Sequence, residues 1–182
     1  MSYQKTGGRC IRLSLDDAPE ANNDRFEPMA KSYYSIVLDH PANEVWAVIR
    51  PFDHYAWAGV ESETVIEDGK AGDQVGAVRR VTYGGNVLRQ LLLAHSDIDR
   101  SYTYSFCGTP PFPVSDYQAT IRISPVVADN HSFVEWWATF DCADDERDKW
   151  VKHFERQGFA KWLAALRQFM AKPSAPNKDV RQ

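Results

Sequence analysis

The segment DDERDKWVKHFERQGFAKWLAALRQFMA, residues 144–171, decides the fold of this chain. Its large apolar residues recur every three or four positions, which predicts one amphipathic helix with a buried apolar face. Its acidic first turn complements the positive end of a helix dipole. The predicted buried face consists of Trp150, Phe154, Gly158, Trp162, Leu166 and Phe169.

Gly158 is unusual in the middle of such a helix. A glycine there costs about 1 kcal/mol relative to alanine, because its backbone loses more freedom on folding. Its presence therefore indicates a close approach by backbone or by a ligand.

Upstream, residues 60–142 alternate short stretches of apolar, β-branched and aromatic residues with turn residues. This spacing is typical of an antiparallel meander. Turns are indicated by the sequence GGN at residues 84–86 and by the proline-rich loop 108–113. We predict six strands, at residues 60–67, 74–83, 86–96, 101–107, 114–127 and 132–142.

A further strand at residues 32–38 precedes the meander. Two short helices follow it, one between Pro41 and Pro51 and one at about residues 52–58. A long antiparallel sheet curls, and the C-terminal helix can close its concave face. The order of elements therefore predicts an α+β domain, in which a curved seven-stranded antiparallel sheet surrounds the C-terminal helix and encloses an apolar cavity.

The two ends of the chain differ from this domain. Residues 1–28 mix Gly, Asp, Asn and Pro and are expected to be a flexible N-terminal extension, arising from an upstream addition or from an alternative start. Residues 29–172 form the predicted ligand-binding domain. Residues 173–182 are polar and broken by proline, which predicts a flexible tail.

Charge and cysteine content argue against several classes of function. A net charge of -4 provides no basic surface for nucleic acid or an anionic membrane. No apolar run approaches 18 residues, so we expect no membrane insertion, and no secretory signal is recognised. The three cysteines and five histidines show no metal-ligand spacing. We therefore expect a cytoplasmic protein without a metal or cofactor.

Aromatic residues make up 13% of the sequence, which leaves two interpretations open. They can form a heavy hydrophobic core, or they can line a cavity for an organic ligand.

Four short motifs carry a resemblance to a known superfamily. They are PANEVW at residues 41–46, GDQVGAVR at 72–79, LLAHSD at 92–97 and YTYSF at 102–106. On these motifs the chain resembles the SRPBCC superfamily of START-like proteins, of the polyketide cyclase/dehydrase type. The resemblance implies a helix-grip fold, in which the sheet grips the C-terminal helix around a hydrophobic ligand.

Residues 114–120, VSDYQAT, are similar to a segment of plant lachrymatory-factor synthase and abscisic acid receptors. In the synthase an arginine, a glutamate and a tyrosine project into the cavity. The resemblance places the arginine at Arg79, the tyrosine at Tyr117 and the glutamate at Gln90. A glutamine cannot exchange a proton at neutral pH, so this departure argues against acid–base chemistry of the synthase type and leaves hydrogen bonding to a ligand.

Strand alternation leaves alternative roles open for these residues. Arg79 shares a strand face with apolar residues, so it is predicted to point inward. It would then meet an anionic or carbonyl-bearing ligand, or an internal partner such as a structural carboxylate. Gln90, between Leu88 and Leu92, is a ligand contact or a satisfied core amide. Tyr117 is a ligand contact, a proton relay or a plain core tyrosine.

The predicted site combines these groups with apolar walls. Arg79 and Tyr117 are the candidate catalytic residues. Loops 83–87 and 107–114 carry Gly and Pro and are expected to flank the entrance. The predicted ligand-binding residues are Arg79, Gln90, Tyr117, Leu88, Leu92, Trp150, Phe154, Gly158 and Trp162.

Three functions follow from this sequence. The first is binding of a small hydrophobic molecule, such as a polyketide, a lipid or an aromatic metabolite. The second is a cyclase, dehydratase or isomerase, in which Arg79 polarises an oxygen and Tyr117 relays a proton. The third is a protein-interaction module. The sequence shows no exposed apolar stripe that would support this third function. A homodimer is compatible with each of them.

Overall fold

One antiparallel sheet of seven strands dominates the computed structural model, which describes residues 29–58, 63–67, 69–83 and 85–172. The order across the sheet is β1-β7-β6-β5-β4-β3-β2, so β1 and β2 form its edges. The predicted seven-stranded α+β architecture is therefore confirmed. The strands are β1 (Ala30–Leu38), β2 (Glu63–Glu67), β3 (Val78–Tyr83), β4 (Asn86–Ser96), β5 (Ser101–Phe106), β6 (Ser115–Val126) and β7 (His131–Asp141).

The sheet buries one face and exposes the other. Alternate residues of β7 are buried, from Ser132 to Phe140, as the period of two in a strand requires. Pairing is irregular between Leu92 and Ala94 of β4 and between Ser115 and Gln118 of β6. Such bulges bend a strand and increase its twist, which helps to curve the sheet around the C-terminal helix.

Two short elements after β1 pack on the buried face. Helix α1 (Ala42–Ile49) starts directly after Pro41 and ends before Pro51, as expected for a residue that lacks an N–H. The second predicted helix is reduced to one 3₁₀ turn (Ala56–Ala58). Between the two elements, the Phe52 ring lies edge-on to Tyr102 with centroids 5.6 Å apart.

The C-terminal helix is present but is not uniformly α-helical. A 3₁₀ turn (Asp144–Glu146) leads into α2 (Arg147–Lys152), a π-helical segment (His153–Ala160) and α3 (Lys161–Met170). We call His153–Ala160 the π segment. Its i→i+5 hydrogen bonds place more residues in each turn than an α-helix does. The buried face therefore shifts: Phe159 and Leu163 are fully buried, whereas Phe169, predicted to be buried, is 37% exposed.

Smaller differences concern the element boundaries. Strand β3 begins at Val78 rather than at residue 74, because Gly76 adopts a φ of +87° within a turn. The strand predicted at residues 60–67 is described only from Glu63. The predicted N-terminal extension and C-terminal tail lie outside the described residues. Among the helices that are described, none combines the length and apolar character of a membrane span.

Candidate ligand cavity

A cavity of about 320 Å³ lies between the sheet and the C-terminal helix, and its wall is mainly apolar. A groove of about 810 Å³ beside residues 109–115 is larger but open to solvent, so it would leave more of a ligand exposed. The smaller cavity is less open, and the described residues that line it are Asn86, Leu88, Gln90, Tyr104, Phe106, Pro111, Phe112, Tyr117, His153, Phe154, Gln157, Gly158 and Trp162.

Most of the predicted ligand-binding residues lie on this wall. The sheet contributes three of them and the helix contributes three. Both loops that were expected to flank the entrance also contribute, through Asn86 in the first and through Pro111 and Phe112 in the second. The predicted residues that line the cavity are Leu88, Gln90, Tyr117, Phe154, Gly158 and Trp162.

Three of the predicted ligand-binding residues are not among the described residues that line the cavity. They are Leu92, Trp150 and Arg79. Leu92 is fully buried, and its N–H donates to the Ala77 carbonyl, so it is part of the core beside the cavity. Trp150 donates from Nε1 to Glu146 across 3.1 Å and packs on Phe112, with ring centroids 5.9 Å apart. It therefore supports the Phe112 side of the wall from behind.

Gly158 lies on the wall within the π segment. A Cβ atom added there would have the Trp162 ring as its nearest neighbour, at 3.7 Å, which is ordinary van der Waals contact. Outside the helix itself, no backbone atom of the described residues lies within 4 Å of that position, so the structure gives no support to the backbone explanation of the glycine. What remains is the space that its missing side chain leaves in the cavity.

Arg79 lies behind the wall, and its partners differ from the expected carboxylate. Its side chain is 0% exposed, in agreement with the predicted inward orientation. Its Nε and Nη2 donate to Gln90 Oε1 at 3.0 and 2.6 Å, and its Nη1 donates to the Phe52 carbonyl at 3.0 Å. The guanidinium also lies 4.0 and 4.5 Å from the ring centroids of Phe52 and Tyr55. All of these partners are neutral, so the arginine is held by hydrogen bonds and cation–π contacts.

The contact with Arg79 fixes the orientation of the Gln90 amide. A guanidinium has only donors, so the atom that it approaches must be the amide oxygen. The Nε2 group, with its two N–H donors, is therefore the part of Gln90 left for the cavity. It has no hydrogen-bond partner among the described residues.

Tyr104 and Tyr117 are two tyrosines of the same wall. Burial raises the pKa of both phenols, and the neighbouring Tyr104 raises the pKa of Tyr117 further. Both hydroxyls therefore stay protonated at neutral pH. The Tyr117 ring stacks on Phe106 with centroids 4.0 Å apart, which fixes its position in the wall.

Several buried polar atoms behind and within this wall lack a hydrogen-bond partner among the described residues. The Tyr104 hydroxyl is one, and the Tyr55 hydroxyl and the indole N–H groups of Trp57 and Trp136 are others. The rings of Tyr55 and Trp57 lie 5.2 Å apart, and those of Trp57 and Trp136 lie 6.0 Å apart. The Tyr55, Trp57 and Trp136 donors thus belong to one cluster of packed aromatic rings.

The sequence analysis missed several lining residues, notably Tyr104, Phe112 and His153. Alternation along the predicted strand at residues 101–107 could have placed Tyr104 on the inner face, while Phe112 lies in a loop without a periodic signal. The pKa of His153 is lowered by burial and by the nearby Lys149. In the part of the chain that the structure describes, no cluster of His, Cys, Asp and Glu could hold a metal ion.

Solved structures share this fold. A protein from Nitrosospira multiformis is 29% identical, with a TM-score of 0.66 over 76% of this chain and 94% of its own. The protein XoxI from Bacillus cereus is 28% identical, with a TM-score of 0.67 over 78% and 95%. Norcoclaurine synthase from Thalictrum flavum, solved with dopamine and hydroxybenzaldehyde, is 13% identical with a TM-score of 0.62, over 80% and 88%. At that identity the likeness shows the fold alone.

No curated protein is significantly similar to this sequence. Residues 29–172, however, match the family described as polyketide cyclase / dehydrase and lipid transport. This match spans most of the chain and includes every strand, helix and lining residue described above. The chain therefore belongs to the polyketide cyclase / dehydrase and lipid transport family, within the SRPBCC superfamily.

Proposed function

We propose that this protein binds a small, mostly apolar organic molecule, such as a polyketide, a lipid or an aromatic metabolite, in the cavity between the sheet and the C-terminal helix. The cavity itself carries the proposal. Its volume of about 320 Å³ is near the lower end of the roughly 300–1,000 Å³ of ligand pockets, which favours a small ligand. Aromatic rings form much of its wall, and a few polar groups can orient a guest.

The polar groups of the wall favour binding over catalysis. A proton relay works best when its pKa is near the working pH, and burial raises the pKa of Tyr117 away from neutrality. Gln90 has no proton to exchange, and its oxygen is engaged by Arg79. No Asp or Glu belongs to the described lining.

A cyclase, dehydratase or isomerase is the second candidate. The observation that favours it is His153, since an imidazole on the cavity wall can act as a general base near neutral pH. The lowered pKa of His153 keeps it in the neutral form that a base requires.

Filling the cavity tests the proposal. Native mass spectrometry of freshly purified protein should detect a co-purifying compound, and the neutral fluorophore N-phenyl-1-naphthylamine should bind the emptied protein. Gly158→Leu places four carbon atoms into the cavity and should weaken binding of this fluorophore at least tenfold. Ala164→Leu adds similar bulk at an exposed position of α3 and should bind like the wild type.

The melting temperature separates a filled cavity from a damaged fold. Gly158→Leu should retain it, because leucine is the better helix former. Unchanged fluorophore binding by Gly158→Leu would place the ligand elsewhere. Absence of both a co-purifying compound and fluorophore binding would overturn the proposed function.

A further inference from the structure

The inner end of the cavity has more hydrogen-bond donors than acceptors. Gln90 presents its N–H groups there, because its oxygen is committed to Arg79. The Tyr104 hydroxyl is fully buried on the same wall. Burial raises its pKa overall, and Tyr117 and the Trp136 indole lie near enough to lower that pKa in part, but no acceptor for its proton lies within hydrogen-bond distance in the described part of the chain. The Trp57 N–H group behind it is a donor only and is likewise unpaired there. Buried donors are normally paired, so this wall is incomplete without an acceptor from outside.

This region also carries a positive charge that no neighbouring negative charge of the described residues balances. Arg79 is positively charged at any physiological pH and is 0% exposed. None of the ion pairs found among the described residues involves it, whereas Arg50, Arg89 and Arg122 pair with carboxylates at the surface. A cation buried without an anion is costly, and cation–π contacts compensate only part of that cost.

We infer that the cavity takes an organic acid in its ionised form. Its carboxylate lies against the Gln90 amide and the Tyr104 and Tyr117 hydroxyls, and Arg79 behind them supplies the opposite charge. This inference rests on the proposed function and specifies the ligand class. Arg79 is a positioning residue, because it orients Gln90 and need not touch the ligand. A carboxylate supplies both the missing hydrogen-bond acceptors and the missing negative charge, because its oxygens only accept hydrogen bonds and it is an anion.

A neutral carbonyl ligand would satisfy the donors without balancing the charge, so matched pairs of ligands distinguish the two. The pairs are 2-naphthylacetic acid with 2-naphthylacetamide, and decanoic acid with decanamide. Each should be titrated against protein loaded with N-phenyl-1-naphthylamine at neutral pH. We expect the acid to displace the fluorophore at a concentration at least ten times lower than the amide does, for both carbon skeletons.

The outcomes separate this inference from the proposed function. If the amides displace the fluorophore as well as the acids do, the cavity binds apolar molecules but the inference of an anion is wrong. If neither the fluorophore nor any probe binds, the proposed function fails first.

Gln90→Glu is the decisive variant, with Gln118→Glu as a control on an exposed position of β6. Glutamate keeps the shape of the side chain and supplies Arg79 with an internal anion. It should therefore abolish the preference, so that the acids no longer displace the fluorophore at a lower concentration than the amides do. Gln118→Glu should keep the wild-type preference. Retention of a tenfold acid preference by a folded Gln90→Glu protein would overturn the inference.

A measurement on the wild-type protein decides the question without any variant. 2-Naphthylacetic acid labelled with ¹³C at the carboxyl group reports its ionisation by its chemical shift. The groups that face the bound carboxyl are the Tyr104 and Tyr117 hydroxyls from the sheet and His153 from the helix, with Tyr55 and Arg79 behind them. At about pH 4.3, the ordinary pKa of a side-chain carboxyl, the bound acid should be fully ionised while the free acid is partly protonated. A bound acid more protonated than the free acid would refute the inference.

Discussion

Replacing Arg79 with methionine should destabilise the protein by about 3 kcal/mol. The change removes the donors that now lie 3.0 Å from the Phe52 carbonyl and 2.6 and 3.0 Å from Gln90 Oε1. Each buried acceptor left without a partner costs about 1–3 kcal/mol, or about 2–6 kcal/mol for the two. Removal of a buried charge without a counter-ion offsets part of this loss, and the methionine side chain keeps part of the apolar packing.

Urea denaturation followed by tryptophan fluorescence measures this change in the free energy of unfolding. A loss of this size corresponds to a melting temperature lowered by about 6–12 °C, at about 2–4 °C per kcal/mol for a domain of this length. Arg122→Met is the matched control. It deletes the same charge from an exposed pair with Glu135, which should cost less than about 1 kcal/mol. If Arg79→Met were as stable as the control or more stable than the wild type, the structural role assigned to Arg79 would be wrong.

Two further predictions concern Tyr117 and Asp97. Tyr117→Phe should weaken binding of 2-naphthylacetic acid by about 0.5–1.5 kcal/mol in a calorimetric titration, since one hydrogen bond is lost; in an enzyme that relays protons through Tyr117, turnover would instead fall on the order of a hundredfold with binding unchanged. Arg50 and the Trp46 indole lower the pKa of Asp97 from 3.8 to about 2, so its stabilising contribution is present above pH 3.8 and is lost as the pH falls towards 2. Asp97→Asn should flatten the fall of stability over that interval, and an unchanged pH profile would contradict this assignment.

The fold could be predicted because its signals are local. Alternation along β7 and β6 and the glycine and proline turns identify strands without knowledge of their partners. The π segment could not be predicted in this way. Its extra residue per turn moves Phe159 and Leu163 onto the buried face and leaves Phe169 exposed, and this depends on packing against the sheet rather than on helical periodicity.

The wall of the candidate cavity could be predicted to the extent that strand alternation determines which side chains face inward. Strand alternation predicts that Arg79, Gln90 and Tyr117 point to the inner face, and all three side chains are buried there. It could not show that Arg79 lies behind the cavity wall rather than on it. The Phe52 carbonyl lies 27 positions earlier in the chain, in a loop between two short helical elements, and no sequence pattern marks a backbone oxygen as a partner for an arginine. Phe112 was missed for the same reason, since a loop residue reaches the cavity only through the tertiary fold.

Gln90 connects the stability of this core with the proposed binding of a ligand. A core that served stability alone would have a glutamate at position 90, which would balance the charge of Arg79. It would also have a phenylalanine in place of Tyr104, which would leave no unpaired hydroxyl. The chain has neither. Its glutamine satisfies the geometry of the guanidinium but not its charge, and the amide turns its donors towards the cavity. A glutamate would pair with Arg79 internally and close the inner end to anions, whereas the glutamine leaves the charge of Arg79 available to a guest.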